Sequence, residues 1–214
     1  MNQLLNQEVK EQIKEFLNPM SNEVTFLLFT KDGHCETCLE TRMLLSEVAE
    51  LNHKIAFIEK NIVKDNEEAK KYGITLTPSF VILDKENNYK GVKFNGIPAG
   101  HEINSFLTAI LDMSGLSFEF DQETLNRIQK INKKVNIKVF VTLSCPHCPG
   151  AVSKAHRLAM LNQNIEAEMI EAQTFPDISR KYKVSGVPKI VINEKHELVG
   201  NQPLEAFLNE LENL

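Results

Sequence analysis

Two features each occur twice in this 214-residue chain: a Cys-x-x-Cys pair, and an apolar segment that begins with a proline. This internal repeat limits the folds that the chain can adopt. The pair at residues 35–38 recurs at residues 145–148, which is 110 residues later. At the same offset, residues 71–82 (KYGITLTPSFVI) align with residues 181–192 (KYKVSGVPKIVI). Because unrelated segments would rarely keep both spacings, the repeat predicts two copies of one supersecondary unit.

Each cysteine pair stands between an apolar run and a segment with helical spacing of apolar residues. The runs at 26–30 and 137–141 are rich in β-branched and aromatic residues and predict buried strands. Both pairs are therefore expected at helix starts, with Pro146 in a first turn. Free amides and the positive dipole end at that position stabilise a thiolate, and i, i+3 spacing brings two sulfurs within bonding reach. The predicted redox pairs are Cys35–Cys38 and Cys145–Cys148.

The same order of elements is predicted in both halves. A first helix precedes the strand that ends at the cysteine pair. After that pair come a helix, a second strand and a short helix. Each half then ends with a strand that begins after a proline, a further strand that forms a hairpin with it (the hairpin return), and a closing helix. Predicted ranges are 5–17 and 123–133 for the leading helices, 55–58 and 165–170 for the second strands, and 89–94 and 198–199 for the hairpin returns. Helical periodicity stops at Gly115, which predicts domains at 1–116 and 117–214.

Composition excludes several classes of function. The net charge of −5 offers no basic surface for nucleic acid or for an anionic membrane. Acidic residues interrupt the amphipathic segment 1–18, so it does not read as a signal peptide, and no apolar run reaches membrane-spanning length. We therefore expect a cytoplasmic protein, and in that compartment paired cysteines are more often catalytic or metal-binding than structural.

The arrangement of a strand, a Cys-x-x-Cys helix start, a βαβ crossover and a proline-led strand pair resembles the thioredoxin fold. The resemblance covers essentially the whole chain and implies an α/β protein of two tandem thioredoxin-fold units, each a mixed central sheet flanked by helices. Residues 94–102 (FNGIPAGHE) and Pro149 are similar to the double-thioredoxin-fold protein disulfide oxidoreductases of thermophiles. They are also similar to the N-terminal domain of the alkyl hydroperoxide reductase flavoprotein subunit.

One departure separates these two families. The flavoprotein subunit keeps a single redox-active cysteine pair and continues into a flavin- and nicotinamide-binding reductase. This sequence has both pairs, ends at Leu214 and contains no G-x-G-x-x-G motif. The resemblance therefore favours a stand-alone oxidoreductase.

The resemblance also implies roles for individual residues. Pro78 and Pro188 are expected to be cis and to face the cysteine pairs, while the backbones of Thr77 and Val187 pair with a substrate chain as an added strand. The first cysteine of each pair attacks as a thiolate, and the second resolves the mixed disulfide. The attacking residues are Cys35 and Cys145, and the resolving residues are Cys38 and Cys148.

Residues between the cysteines are expected to make the two sites unequal. Glu36 places a carboxylate beside the first site, which raises the energy of a thiolate. Pro146 and His147 add no negative charge, and a protonated imidazole would favour the thiolate. We therefore expect the C-terminal pair to be the more oxidising. Glu102 is interpreted as complementing a helix dipole, and Tyr72 and Tyr182 as packing residues.

Three functions remain open at this stage. The first is a general protein dithiol–disulfide oxidoreductase acting on protein thiols and disulfides, with a thioredoxin-reductase-like flavoprotein as electron partner. The second is an electron shuttle dedicated to a peroxiredoxin. The third is a zinc-binding interaction module, since four cysteines suit zinc, although zinc pairs usually lie on tight turns rather than at helix starts. For the redox functions no bound cofactor or metal is expected beyond the disulfides.

Overall fold

Two structural units make up the chain in a computed structural model that describes residues 3–116 and 118–214. Among these residues, the first unit comprises 3–89, 94–97 and 106–116, and the second comprises 90–93, 98–105 and 118–214. The helices are α1 Gln7–Leu17, α2 Cys38–Glu50, α3 Asn66–Lys71, α4 Ile103–Met113, α5 Gln122–Gln129, α6 Cys148–Leu161, α7 Pro176–Lys181 and α8 Leu204–Glu212. The strands are β1 Val24–Thr30, β2 Ile55–Asn61, β3 Ser79–Leu83, β4 Tyr89–Asn95, β5 Val135–Val141, β6 Ile165–Glu171, β7 Lys189–Ile192 and β8 His196–Val199.

The first unit is organised around β1, which is buried along nearly its whole length. This strand pairs in parallel with β2 and antiparallel with β3, so the sheet is mixed as predicted. One face packs against α3 through a cluster that includes Leu27, Phe29, Tyr72 and Val81. Phe26 packs against Phe106 of α4 with ring centroids 5.3 Å apart. Burial of these large apolar side chains holds the strand that leads to the first cysteine pair.

The second unit repeats this arrangement around β5. It pairs in parallel with β6 and antiparallel with β7, and β7 pairs antiparallel with β8. Phe140, Ile170, Tyr182 and Val191 form the equivalent cluster beside α7. Tyr72 and Tyr182 are therefore packing residues, 3% and 8% exposed, as interpreted from the sequence.

The predicted elements are present, and their bounds differ at the ends. The leading helix of the second unit ends at Gln129 rather than at 133, and the hairpin return β8 already begins at His196. Helix starts follow side-chain capping: Asn6 accepts a hydrogen bond from the Val9 amide, and Asp121 accepts one from the Thr124 amide. Within residues 3–116 and 118–214, no helix is both long and apolar enough to cross a membrane.

Candidate redox site

Both Cys-x-x-Cys pairs form disulfides in the structure. Cys35 is bonded to Cys38 and Cys145 to Cys148, and the Cα atoms of each pair are 5.5 Å apart. These are the two pairings predicted from the spacing.

Both cysteine pairs lie at helix starts, as predicted, but Pro146 precedes its helix. In each unit the second cysteine is the first helical residue, so α2 begins at Cys38 and α6 at Cys148. The first cysteine lies in the preceding turn. The prediction that Pro146 occupies a first helical turn is therefore wrong; Pro149 occupies it instead. Because a proline in the first turn loses no intrahelical hydrogen bond, Pro149 suits that position.

The first cysteine of each pair is the more accessible one. Cys35 is half-buried, whereas Cys38 is 7% exposed. Cys145 is 8% exposed and Cys148 is fully buried. An approaching thiolate therefore reaches the first sulfur more easily in both units, and it reaches Cys35 more easily than Cys145.

The two predicted cis prolines are cis. The bonds concerned are Thr77–Pro78 and Val187–Pro188. Strand register places each proline near its cysteine loop, because Ser79 pairs with Phe29 near the end of β1 and Lys189 pairs with Phe140 near the end of β5. Thus each cis proline lies at the end of the sheet from which the chain enters the Cys-x-x-Cys turn.

The register reveals one asymmetry between the cysteine loops. Thr30 ends β1 and pairs with Asn61, and Val141 ends β5 and pairs with Glu171. The loop from Thr30 to Cys35 is therefore one residue longer than the loop from Val141 to Cys145. Gly33 lies in the longer loop with a φ of +82°, a conformation that glycine adopts without steric cost.

The residues expected to tune the thiolates lie on the surface. Glu36, Pro146 and His147 are all exposed. That the C-terminal pair is the more oxidising one stays a prediction. The burial of Cys145 acts against this prediction. Cys145 is less exposed than Cys35, and desolvation disfavours a thiolate.

Glu102 is placed differently from the sequence interpretation. It lies in a short 3-10 helix, Gly100–Glu102, and its side chain is fully buried instead of capping a helix in solvent. Desolvation raises the pKa of Glu102 to about 7, against a smaller opposing effect of the Ser105 hydroxyl, which donates to the carboxylate. The other carboxylate oxygen has no hydrogen-bond partner among residues 3–116 and 118–214. The sequence showed the Gly-His-Glu segment but not its burial.

This short helix packs on the loop that carries the second cysteine pair. The His101 amide donates to the Leu143 carbonyl at 2.9 Å, two residues before Cys145. Gly100 has a φ of +57°, and a Cβ atom there would lie 2.3 Å from the same carbonyl oxygen. Only glycine satisfies both the backbone conformation and the close approach.

Substituting Gly100 by alanine is therefore expected to destabilise the protein by about 2 kcal/mol and to displace the loop before Cys145. Chemical denaturation measures the loss of free energy. Gly186→Ala is the matched control, since a Cβ at Gly186 meets nothing within 4 Å, and its effect should stay within about 0.5 kcal/mol. Equal effects of the two substitutions would contradict the packing described here.

Comparison with known proteins identifies relatives over nearly the whole chain. The alkyl hydroperoxide reductase AhpF of Staphylococcus aureus is 28% identical over 208 residues, which cover 97% of this chain and 38% of that protein. The chain thus spans well under half the length of the curated relatives it matches.

Two solved structures are similar in fold and in sequence. A structure of the alkyl hydroperoxide reductase AhpF from Enterococcus faecalis superposes with a TM-score of 0.92 at 30% identity, covering 98% of this chain and 100% of that one. A protein disulfide oxidoreductase from Aeropyrum pernix superposes with a TM-score of 0.89 at 27% identity, covering 97% and 92% respectively.

The family model for the thioredoxin domain matches the chain twice, over residues 26–108 and 135–213. Each matched segment contains one disulfide-bonded Cys-x-x-Cys pair, one cis proline, and a central strand paired in parallel on one side and antiparallel on the other. The chain therefore belongs to the thioredoxin domain family and contains two copies of that domain in tandem.

Proposed function

We propose that the protein is a thiol–disulfide oxidoreductase that exchanges dithiols and disulfides with protein substrates at both cysteine pairs. The observation that carries this proposal is the repeated geometry. In each unit a disulfide has its second sulfur at the start of a helix and a cis proline near the end of the adjoining strand. Helix starts stabilise thiolates, which are the attacking and leaving species in disulfide exchange.

The more accessible cysteine of each pair is the one that attacks the substrate disulfide. Cys35 and Cys145 form the mixed disulfide with substrate, and the more buried Cys38 and Cys148 resolve it. The substrate chain pairs with the backbone beside each cis proline, at Thr77 and Pro78 in the first unit and at Val187 and Pro188 in the second. Glu36, Pro146 and His147 adjust the stability of the thiolates.

Electrons pass between this protein and other proteins, so the chemistry needs no bound cofactor beyond the disulfides. We propose a thioredoxin-reductase-like flavoprotein as the electron partner and the cytoplasm as the compartment. The net charge of −5 supports neither nucleic acid nor an anionic membrane as a partner. We further propose that the functional halves divide between residues 116 and 117.

A second candidate function is a dedicated shuttle to a peroxiredoxin. Its support is the similarity to the alkyl hydroperoxide reductase AhpF, which extends over 97% of this chain. Substrate breadth separates the two candidates. A general oxidoreductase reduces several unrelated protein disulfides at comparable rates, whereas a dedicated shuttle reduces a peroxiredoxin disulfide much faster than the others.

Thiol counting combined with metal analysis tests the proposed chemistry. The purified protein is expected to react with no alkylating reagent before reduction and with four equivalents after it. It should re-form both disulfides on oxidation and contain no stoichiometric zinc or iron. One tightly bound metal ion per chain, with all four thiols protected until a chelator is added, would instead support a zinc-binding module.

A further inference from the structure

An ion pair lies one helical turn beyond the first cysteine pair. Arg42 follows Cys38 by four residues on α2, so the two side chains share a helix face with Cβ atoms roughly 5–6 Å apart. The Arg42 guanidinium donates to both carboxylate oxygens of Glu59 on β2, through Nε at 2.6 Å and Nη2 at 2.5 Å. Such two-point contacts fix both groups in one orientation.

The strand that leads to the cysteine loop also contacts this ion pair. Thr30, the last residue of β1, is 5% exposed, and its hydroxyl donates to Glu59 Oε1 at 2.7 Å. Three elements therefore meet at the ion pair: the end of β1, the first turns of α2, and β2. The hydrogen bonds from Arg42 and Thr30 lower the pKa of Glu59, so its carboxylate is ionised at neutral pH.

The second unit has apolar residues at the equivalent positions. Strand register and the helix start place Val141 where Thr30 lies, Val152 where Arg42 lies and Met169 where Glu59 lies. All three are fully buried side chains. One copy of the fold has buried apolar side chains at these three positions, so the fold itself does not require the ion pair.

We propose that the Arg42–Glu59 ion pair sets the reduction potential of the Cys35–Cys38 disulfide through the opposite effects of its two charges on Cys38. This proposal rests on the proposed exchange function. The guanidinium favours the thiolate that Cys38 becomes when the disulfide opens, and the carboxylate opposes it. The two groups act as positioning residues, because neither takes part in bond making.

The affected step is the opening of the disulfide. A substrate thiolate attacks Sγ of Cys35, the Cys35–Cys38 bond breaks, and Cys38 leaves as a thiolate that then takes up a proton. The second substrate thiol gives up its proton and attacks the substrate sulfur of the mixed disulfide, which releases Cys35 as a thiolate that takes up the second proton. The substrate loses two electrons and two protons, and the cysteine pair gains both. A lower energy of the Cys38 thiolate makes the pair a stronger oxidant.

Removing one charge at a time is expected to shift the potential in opposite directions. Glu59→Gln leaves the arginine uncompensated and should favour the reduced pair threefold to tenfold, or about 14–30 mV by the two-electron relation. Arg42→Met leaves the Glu59 carboxylate uncompensated and should disfavour the reduced cysteine pair by a similar factor. Other charges near the pair, on the exposed Glu36 and Glu40, stay constant in both variants.

The experiment uses the full chain with Cys145→Ser and Cys148→Ser, so that Cys35–Cys38 is the sole redox pair. Each variant is equilibrated in glutathione buffers, and the midpoint pH of thiolate absorbance is followed in parallel. Arg42→Lys keeps the charge and should restore most of the wild-type potential. Arg42→Met with Glu59→Met copies the apolar character of the second unit and should return the potential to within twofold of wild type.

The matched control places the same substitutions in a chain with Cys35→Ser and Cys38→Ser. There the potential of Cys145–Cys148 should not change. Shifts in the same direction, or shifts below 1.5-fold, for the two single substitutions would overturn the proposal while leaving the exchange function intact. Failure of the unsubstituted Cys35–Cys38 pair to cycle reversibly would overturn the proposed function itself.

Discussion

Replacing Glu102 with glutamine is expected to raise the free energy of unfolding by about 3 kcal/mol at pH 8 and to leave it nearly unchanged at pH 4. The reason is the complete burial of the carboxyl group, which raises the pKa of Glu102 to about 7. In the unfolded chain the ordinary pKa of this group is 4.5. The folded protein therefore holds a proton that the unfolded chain releases between these two values.

The sign follows from proton linkage. Below pH 4.5 both states are protonated and the buried group carries no penalty. As the pH rises from there through 7, the unfolded chain gains the free energy of ionisation and the folded protein loses relative stability. Glutamine has nearly the same shape as glutamate but cannot ionise. The Glu102→Gln variant therefore avoids the loss of stability at high pH and has nearly the same stability as wild type at low pH.

A buried histidine in the same unit gives the opposite slope. His156 on α6 is 1% exposed, and its Nε2 lies 3.2 Å from the Lys93 carbonyl oxygen. Desolvation lowers the pKa of His156 to about 4, so stability is lost as the pH falls from 6.5 to that value. In the wild type the two slopes largely cancel between pH 4.5 and 6.5. Glu102→Gln should expose the histidine slope, with stability rising from about pH 4 to about pH 7.

Denaturant unfolding at several pH values measures both effects. Glu119→Gln is the control, because Glu119 is exposed and its substitution should change stability by less than about 0.5 kcal/mol at any pH. A Glu102→Gln variant that is no more stable than wild type at pH 8, with the control unchanged, would contradict a neutral buried carboxyl group.

The sequence predicted the fold because its strongest signals were local and repeated. The apolar runs around Phe29 and Phe140 are typical of buried strands. Because the cysteine pairs and the segments that follow them repeat at one offset, each strand could be assigned to its own cysteine pair. The cis state of Pro78 and Pro188 followed from family resemblance, since local sequence favours trans at most X–Pro bonds. Pro146 was placed inside the helix that begins two residues later, because proline is also a good first-turn residue.

The parts of the site that were missed depend on tertiary packing. Glu102 is buried in the short helix whose Gly100 lies against the Leu143 carbonyl, a contact between segments more than 40 residues apart. Arg42 and Glu59 read individually as surface charges on a helix and a strand. Comparing the two copies position by position would have found them, because the second copy has apolar residues there.

In the proposed exchange reaction, one defined sulfur in each unit forms the bond with substrate. A variant that retains only Cys35, and a second that retains only Cys145, should each accumulate a stable mixed disulfide with a protein disulfide substrate such as insulin. The adduct persists because no second cysteine remains to resolve it. Wild-type protein, which keeps Cys38 and Cys148, should show no lasting adduct.

Mass spectrometry of these single-cysteine variants tests the claim most directly, with variants that retain only Cys38 or only Cys148 as controls. The expected result is a dithiothreitol-sensitive mass increase of one whole substrate molecule on Cys35 and on Cys145, with at least tenfold less on the two controls. Each control is compared with its partner in the same unit: Cys38 is 7% exposed beside a half-buried Cys35, and Cys148 is fully buried beside Cys145, which is 8% exposed. Absence of any adduct on Cys35 and Cys145, or equal adducts on all four cysteines, would contradict it.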